Sequence, residues 1–202
     1  MMPGNPQILI CPFCGKEKQI MSLVSGNTFG AELWSDNKQI APMLPEISYV
    51  QKCPDCGKYY IKARQEVKFA KEGYSFEKGT LSFHEMKEAY SQLMNEGLSE
   101  KEEITLRMML HHAYNDYYYR SEEKPEIEQE DKRLFHDNGL WLIENLLKDG
   151  VLKAEFYREI GEFDIANGIL DSLVIDDDFL KRIASKIREK VDESDCAVFR
   201  IQ

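Results

Sequence analysis

No run of apolar residues in this chain approaches the roughly 18 that a helix needs to cross a bilayer, which excludes a helical membrane span. The first ten residues lack both a basic cluster and a long apolar stretch, so no secretory signal is expected there and the expected compartment is the cytoplasm. Basic side chains are in deficit, 26 against 36 acidic ones among 202 residues, for a formal charge of −10. Histidine is scarce: His84, His111, His112 and His136 include no i, i+4 pair, so a second metal site built on histidine is not expected. No Gly-x-Ser-x-Gly nucleophile motif occurs, and Gly26 and Gly30 are too sparse and wrongly placed to cradle a phosphate. What is present is 43% apolar and 11% aromatic residues, too many for a disordered chain. The length suits one domain, or a small one joined to a medium one.

The charge is unevenly shared. Residues 1–62 hold six lysines and five acids, whereas residues 63–202 hold 20 basic and 31 acidic side chains. A nucleic-acid surface needs basic groups to displace condensed counterions, and the C-terminal part would repel phosphates instead. Its acidic excess reads as the solvated face of a helical region.

Four of the five cysteines form two matched motifs, CPFCGK at 11–16 and CPDCGK at 53–58. Two residues between cysteines let both sulfurs reach one ion while the backbone turns tightly. Proline fixes φ in that turn, and glycine after the second cysteine accepts a positive φ where a side chain would clash. Two such turns supply four thiolates, Cys11, Cys14, Cys53 and Cys56, the donor set of a structural zinc site. Rubredoxin-type iron uses the same knuckles, so spacing alone leaves iron as an alternative. A redox dithiol would sit at a helix N-terminus in a βαβ setting, and neither motif has one. Cys196 stands alone and is assigned no role.

Residues 1–62 read as a small β module too poor in core to fold without its metal. Phe29–Met43 suggests two short strands around Asp36-Asn37, residue types that tolerate a tight hairpin turn. Ile47–Lys52 and Tyr59–Ile61 are further strand candidates flanking the second motif, and residues 63–81 form a connecting segment. From 82 to 202 the signals are helical. Ser82 with Glu85, and Ser99 with Glu102, fit capping boxes, the first opening a helix that ends near Gly97. Leu106, Met109, Leu110, Ala113 and Tyr117 then recur at helical spacing. Ser121–Asp131 is an acidic loop, followed by a helix with Phe135, Leu142 and Leu146 on one face that stops near Gly150. Two shorter helices meet at Gly161, and a last one runs from about Asp177 to Glu193. No strand pattern is convincing after residue 81. The expected class is therefore α+β, a zinc-ribbon β module followed by about six helices in antiparallel hairpins.

Within the helices, Ala154, Tyr157, Gly161, Phe163, Ala166 and Leu170 fall at the spacings of a tetratricopeptide repeat. Lys153 and Asp178 depart from that pattern, where a large apolar residue and a proline are expected. Together with the paired knuckles and the segment SGNTFGAELWSDNKQIAPMLPE, this pattern resembles a group of uncharacterised bacterial proteins with an N-terminal zinc ribbon and a C-terminal TPR-like helical domain. The resemblance implies a metal role for the four cysteines and carries over no catalytic residue.

The functional expectation is an interaction or scaffold protein with a protein partner, a closed structural metal site and no enzymatic activity. One alternative is nucleic-acid binding or transcription-linked regulation through the ribbon, using Lys16, Lys18, Lys38, Lys52, Lys58 and Lys62. The other is electron transfer through iron. Tyr114, Tyr117, Tyr118 and Tyr119 crowd one helix end, where core packing accounts for most of them and a partner-binding patch for the rest.

Overall fold

The computed structural model describes residues 1–148 and 150–202. In chain order the strands are β1 (Met2–Pro3), β2 (Gln7–Ile10), β3 (Glu17–Ile20), β4 (Leu23–Ser25), β5 (Glu32–Leu33), β6 (Gln39–Ile40), β7 (Val50–Lys52), β8 (Tyr59–Ile61) and β9 (Lys68–Phe69). The helices are α1 (Phe83–Met94), α2 (Glu100–Asn115), α3 (Gln129–Asn145), α4 (Val151–Glu159), α5 (Phe163–Ser172) and α6 (Asp178–Asp192). The class is α+β, with strands early and helices late. By contact the chain divides into two units, one of residues 1–31 and 40–106, the other of residues 32–39 and 107–202.

In the first unit each cysteine motif is the loop of a hairpin. β2 pairs antiparallel with β3, with Ile10 opposite Glu17, and β7 with β8, with Lys52 opposite Tyr59. The connecting segment is not idle. Its strand β9 pairs with the free side of β2, Gln7 opposite Phe69, giving the sheet order β3-β2-β9. Further along, the Met21 amide donates to the Glu77 carbonyl at 2.7 Å and the Ser48 amide to that of Lys78 at 2.9 Å. Mixed charge hides this role, because an edge strand two residues long leaves no alternating pattern to read.

The Ser82–Glu85 box forms as expected and starts α1, which buries Phe83, Met86, Ala89 and Leu93. The helix is held to β8 by the Gln92 amide, which donates to the Tyr59 carbonyl at 2.8 Å and accepts from its N–H at 3.0 Å. Gln92 thus gives β8 the pairing that a neighbouring strand would supply. The Ser99–Glu102 box also forms, and Arg64 grips the Glu102 carboxylate through two bonds of 2.7 Å.

In the second unit, the turn at Asp36-Asn37 is present, with Asn37 at φ 64° and the Trp34 amide donating to the Lys38 carbonyl at 2.9 Å. This turn joins the helical unit and is flanked by the C-terminal segment. The Ser35 amide bonds the Phe199 carbonyl, the Ile201 amide bonds that of Leu33, and Trp34 bridges Arg200. Extended pairing after residue 81 therefore exists, too short to leave a period-2 signature.

α2 does not continue as an α-helix to Tyr117. Residues Asp116–Arg120 form a π-helical turn, so Tyr114 and Tyr118 are the buried tyrosines while Tyr117 is half-buried. Insertion of the extra residue per turn rotates the following side chains off the α-helical register. α3 buries Phe135 and Leu142 and ends at Asn145, so Leu146 lies past its last turn at 39% exposure instead of on the packed face. α4 and α5 meet at Gly161, whose φ is +89°. Ala154, Ala166 and Leu170 form one apolar cluster with Ala184, Ile187 and Val191 of α6, and Tyr157 and Phe163 pack against it. Small residues at the crossing let these helices approach closely, which explains the repeat-like spacing read from the sequence. α6 starts at the Asp177 cap, whose carboxylate accepts from the Leu180 amide at 2.8 Å.

Candidate metal centre

The two hairpin loops place the thiols of Cys11, Cys14, Cys53 and Cys56 together, with all four sulfurs within 4.8 Å of one another. Cys11 lies 3.7 Å from Cys56 and Cys14 3.5 Å from Cys53, sulfur to sulfur. A tetrahedral ion with metal–sulfur bonds of about 2.3 Å requires sulfur separations of about 3.8 Å. The donor set and its geometry therefore fit one four-thiolate ion.

The loops are built alike. The Gly15 amide donates to the Cys11 carbonyl at 2.9 Å, and the Gly57 amide to that of Cys53 at 3.1 Å. The Cys11 amide bonds the Lys16 carbonyl and the Cys53 amide that of Lys58, each at 2.9 Å. Gly15 and Gly57 have φ of 75° and 72°, the left-handed region that makes glycine the favoured residue after each second cysteine. Local sequence thus dictates two knuckles, each closing its own hairpin in a separate sheet, and the four sulfurs converge between them.

Burial is asymmetric. Cys11 and Cys53 are buried, and Cys14 and Cys56 are exposed. The two inner sulfurs belong to an apolar cluster with Leu9, Ile20 and Tyr60. Burial opposes ionisation of Cys53, yet the Cys56 and Asp55 amides outweigh it and bring this thiol down to about 7. At Cys14 the Lys16 amide favours the thiolate, but burial and the neighbouring sulfurs prevail and push it up to about 12. Four such groups cannot all ionise side by side without a cation among them.

Among the described residues this is the only set of Cys, His, Asp and Glu ligand atoms close enough to share an ion. Cys196 lies in the other unit, half-buried. Of the lysines considered for phosphate contacts, three face carboxylates: Lys18 toward Glu77 at 3.9 Å, Lys52 with Glu85 at 2.9 Å, and Lys38 with Asp116. Burial holds the Lys62 ammonium below its usual range, while Lys58 lies over the Phe13 ring at 4.7 Å.

The histidines and tyrosines serve elsewhere. His111 is fully buried, stacked between Phe135 and Phe156 at 4.6 and 4.4 Å, with Tyr114 on the far side of Phe135 at 3.9 Å. Its Nε2 meets Glu159 Oε2 at 2.8 Å. Asn115 bridges that oxygen to Asp36 Oδ2, at 3.0 Å each, and Arg120 closes on the same Asp36 carboxylate. Arg158 is buried against Glu155. Burial pushes Glu159 up to about 8 and Glu155 up to about 7, and pulls His111 and His112 down to about 4. Asp36 stays ionised: burial opposes it, but His112 and Arg120 prevail and hold it below the usual carboxylate range.

This network was not anticipated from sequence. Its one legible sign is that Glu155, Arg158 and Glu159 sit at i, i+3 and i+4 of a short helix whose Ala154 and Phe156 are buried as well.

The chain matches no protein-family model, no curated protein and no solved structure. No helix among the described residues is long and apolar enough to cross a membrane.

Proposed function

We propose that the four thiolates hold one structural zinc ion, and that the protein works as an interaction or scaffold protein whose helical part meets a protein partner. The carrying observation is the convergence of four sulfurs from two separate hairpins within 4.8 Å. Four protein thiolates complete a tetrahedral shell, leaving no position for water or substrate, so the ion's role is to fasten and not to catalyse. Its inner sulfurs are part of the core, which ties the ion to folding. A reducing, cytoplasmic compartment suits thiolates kept for a metal. The packing of Ala154, Ala166 and Leu170 supports a TPR-like pair in α4 and α5, an architecture suited to peptide binding.

Iron in the same thiolate cage is the second reading, because the sulfur geometry serves it equally. Nucleic-acid binding is the weaker one, since three of its six lysines already face carboxylates. Elemental analysis of the purified protein is expected to give one zinc per chain in a colourless sample; one iron with visible absorption would select the electron carrier. Affinity capture from native lysate is expected to return a stoichiometric protein partner. Recovery of nucleic acid with a steep salt dependence would instead favour the regulator.

A further inference from the structure

The helical unit contains a cavity of about 290 Å³ that the metal centre does not touch. Tyr114, Phe135, Ile127 and Ile160 give it mainly apolar walls, with Lys132 at its mouth and Cys196 beside it. Glu159 and Asp195 also line it, the Asp195 carboxylate being engaged by Lys190 and by the Ala197 amide, at 2.8 Å each. One oxygen of the fully buried Glu159 carboxyl, Oε2, is used by His111 and Asn115, while Oε1 has no partner. Buried polar atoms in folded proteins are almost always satisfied, so an orphaned one at a cavity marks a group that something else completes. Burial keeps this carboxyl protonated at neutral pH, which makes it a hydrogen-bond donor as well as an acceptor.

Lys132 is the second sign. Among the described residues no carboxylate forms an ion pair with it, and it is the one lysine or arginine that lines the cavity. At Glu159 the Asp36 carboxylate is offset by the Arg158 and Arg120 guanidiniums, which already have carboxylate partners, so an anionic ligand group belongs at Lys132.

We propose that this cavity binds a small phenolic carboxylate, with the aromatic body between the apolar walls, the hydroxyl at Glu159 Oε1 and the carboxylate at Lys132. A neutral polar group inside, an apolar middle and one cation at the entrance select that chemistry over a phosphate, which needs several donors, and over a plain hydrocarbon, which leaves Oε1 unmet.

The test is titration of the full-length, metal-loaded protein with 4-hydroxybenzoate and 4-hydroxyphenylacetate, followed by ligand-observed NMR and calorimetry. At least one is expected to bind with a dissociation constant at or below about 1 mM, a modest value for so few atoms. Benzoate and phenylacetate, lacking the hydroxyl, are expected to bind about tenfold more weakly, since they leave Oε1 unpaired. Lys132→Met, at an exposed position, is expected to cost about tenfold, and Ile127→Trp, which fills the cavity from its rim, to abolish binding. The bound ligand is also expected to slow alkylation of Cys196 by iodoacetamide, read by peptide mass spectrometry. Absence of binding by both phenolic acids overturns the proposal. So does binding that Ile127→Trp leaves intact, or that is equal for ligands with and without the hydroxyl; Glu159 Oε1 is then met by an ordered water only. The hydroxyl comparison needs no variant, so a folding defect cannot obscure it.

Discussion

The two units solve the problem of a small core in opposite ways. Around the cysteine motifs of the first unit, strands of two to four residues supply little apolar surface away from α1, and the sulfurs of Cys11 and Cys53 sit among Leu9, Ile20 and Tyr60 as part of the core itself. In the second, helices bury a cluster from Ala154 to Val191 and can also enclose His111, Asp36, Glu155, Arg158 and Glu159. Hairpins this short need a fastener. A unit with core to spare can hold charged and polar groups, provided each is paired or neutralised.

The largest expected effect separates the units outright. Stripping the metal with a strong chelator, or replacing Cys53 with serine, is expected to unfold the first unit while the helices of the second persist. Structural zinc contributes on the order of 10 kcal/mol to folding, far beyond what β2, β3, β7 and β8 gain by pairing. Hydrogen exchange resolved by peptide is the check: protection is expected to vanish over residues 7–31 and 40–61 and to survive over residues 151–191. Uniform loss, or none, would erase the contrast.

Next in size is Arg158→Met. Removing one partner of a buried ion pair costs about 3–5 kcal/mol when the other stays charged. Here Glu155, already raised to about 7, can take up a proton, so the loss is expected at the lower end near neutral pH and to grow as pH rises. Urea unfolding at pH 6 and pH 9, followed by helical circular dichroism, measures both.

A pH series on the unaltered protein sharpens the same point. Glu155 and Glu159 have raised folded values of about 7 and 8, so the folded state keeps protons that the unfolded chain has released. Their contribution to stability is fully present below the ordinary carboxylate range and is lost as pH rises through 7 to 8. His111 and His112, lowered to about 4, act the other way: their contribution is present above the ordinary histidine value of about 6.5 and is lost as pH falls toward 4. The helical unit is therefore expected to lose stability on both sides of a plateau between about 4.5 and 6.5, where the two pairs offset each other. Glu159→Gln keeps the shape and removes one titration, so the decline above pH 6.5 is expected to become shallower. An unchanged slope would mean that Glu159 is ionised in the folded state.

The smallest effect lies in the first unit. Ser82→Ala breaks the capping box at the start of α1, whose two reciprocal bonds to Glu85 measure 3.3 and 3.0 Å. The expected cost is about 1 kcal/mol, measured by denaturant melting of the metal-loaded protein.

How legible these features were follows from how local they are. The cysteine motifs and both capping boxes could be read directly, because a knuckle or a box is completed within six residues. The helices around Gly161 were legible because small residues repeat at helical spacing. The strand Lys68–Phe69, the Trp34–Arg200 bridge and the π-helical turn at Asp116–Arg120 were not, since each depends on a remote partner or on one inserted residue. The buried network was hidden for a related reason. Composition counts Asp36, Glu155 and Arg158 as surface charge, and only tertiary packing reveals them as core.

The central claim is that four sulfurs from two hairpins close around one structural zinc ion. X-ray absorption at the zinc edge of the purified protein tests it most directly. The expected spectrum has a single shell of four sulfurs at about 2.3 Å and no lighter scatterer. A shell containing nitrogen or oxygen, or a protein that folds with no metal bound, would contradict it.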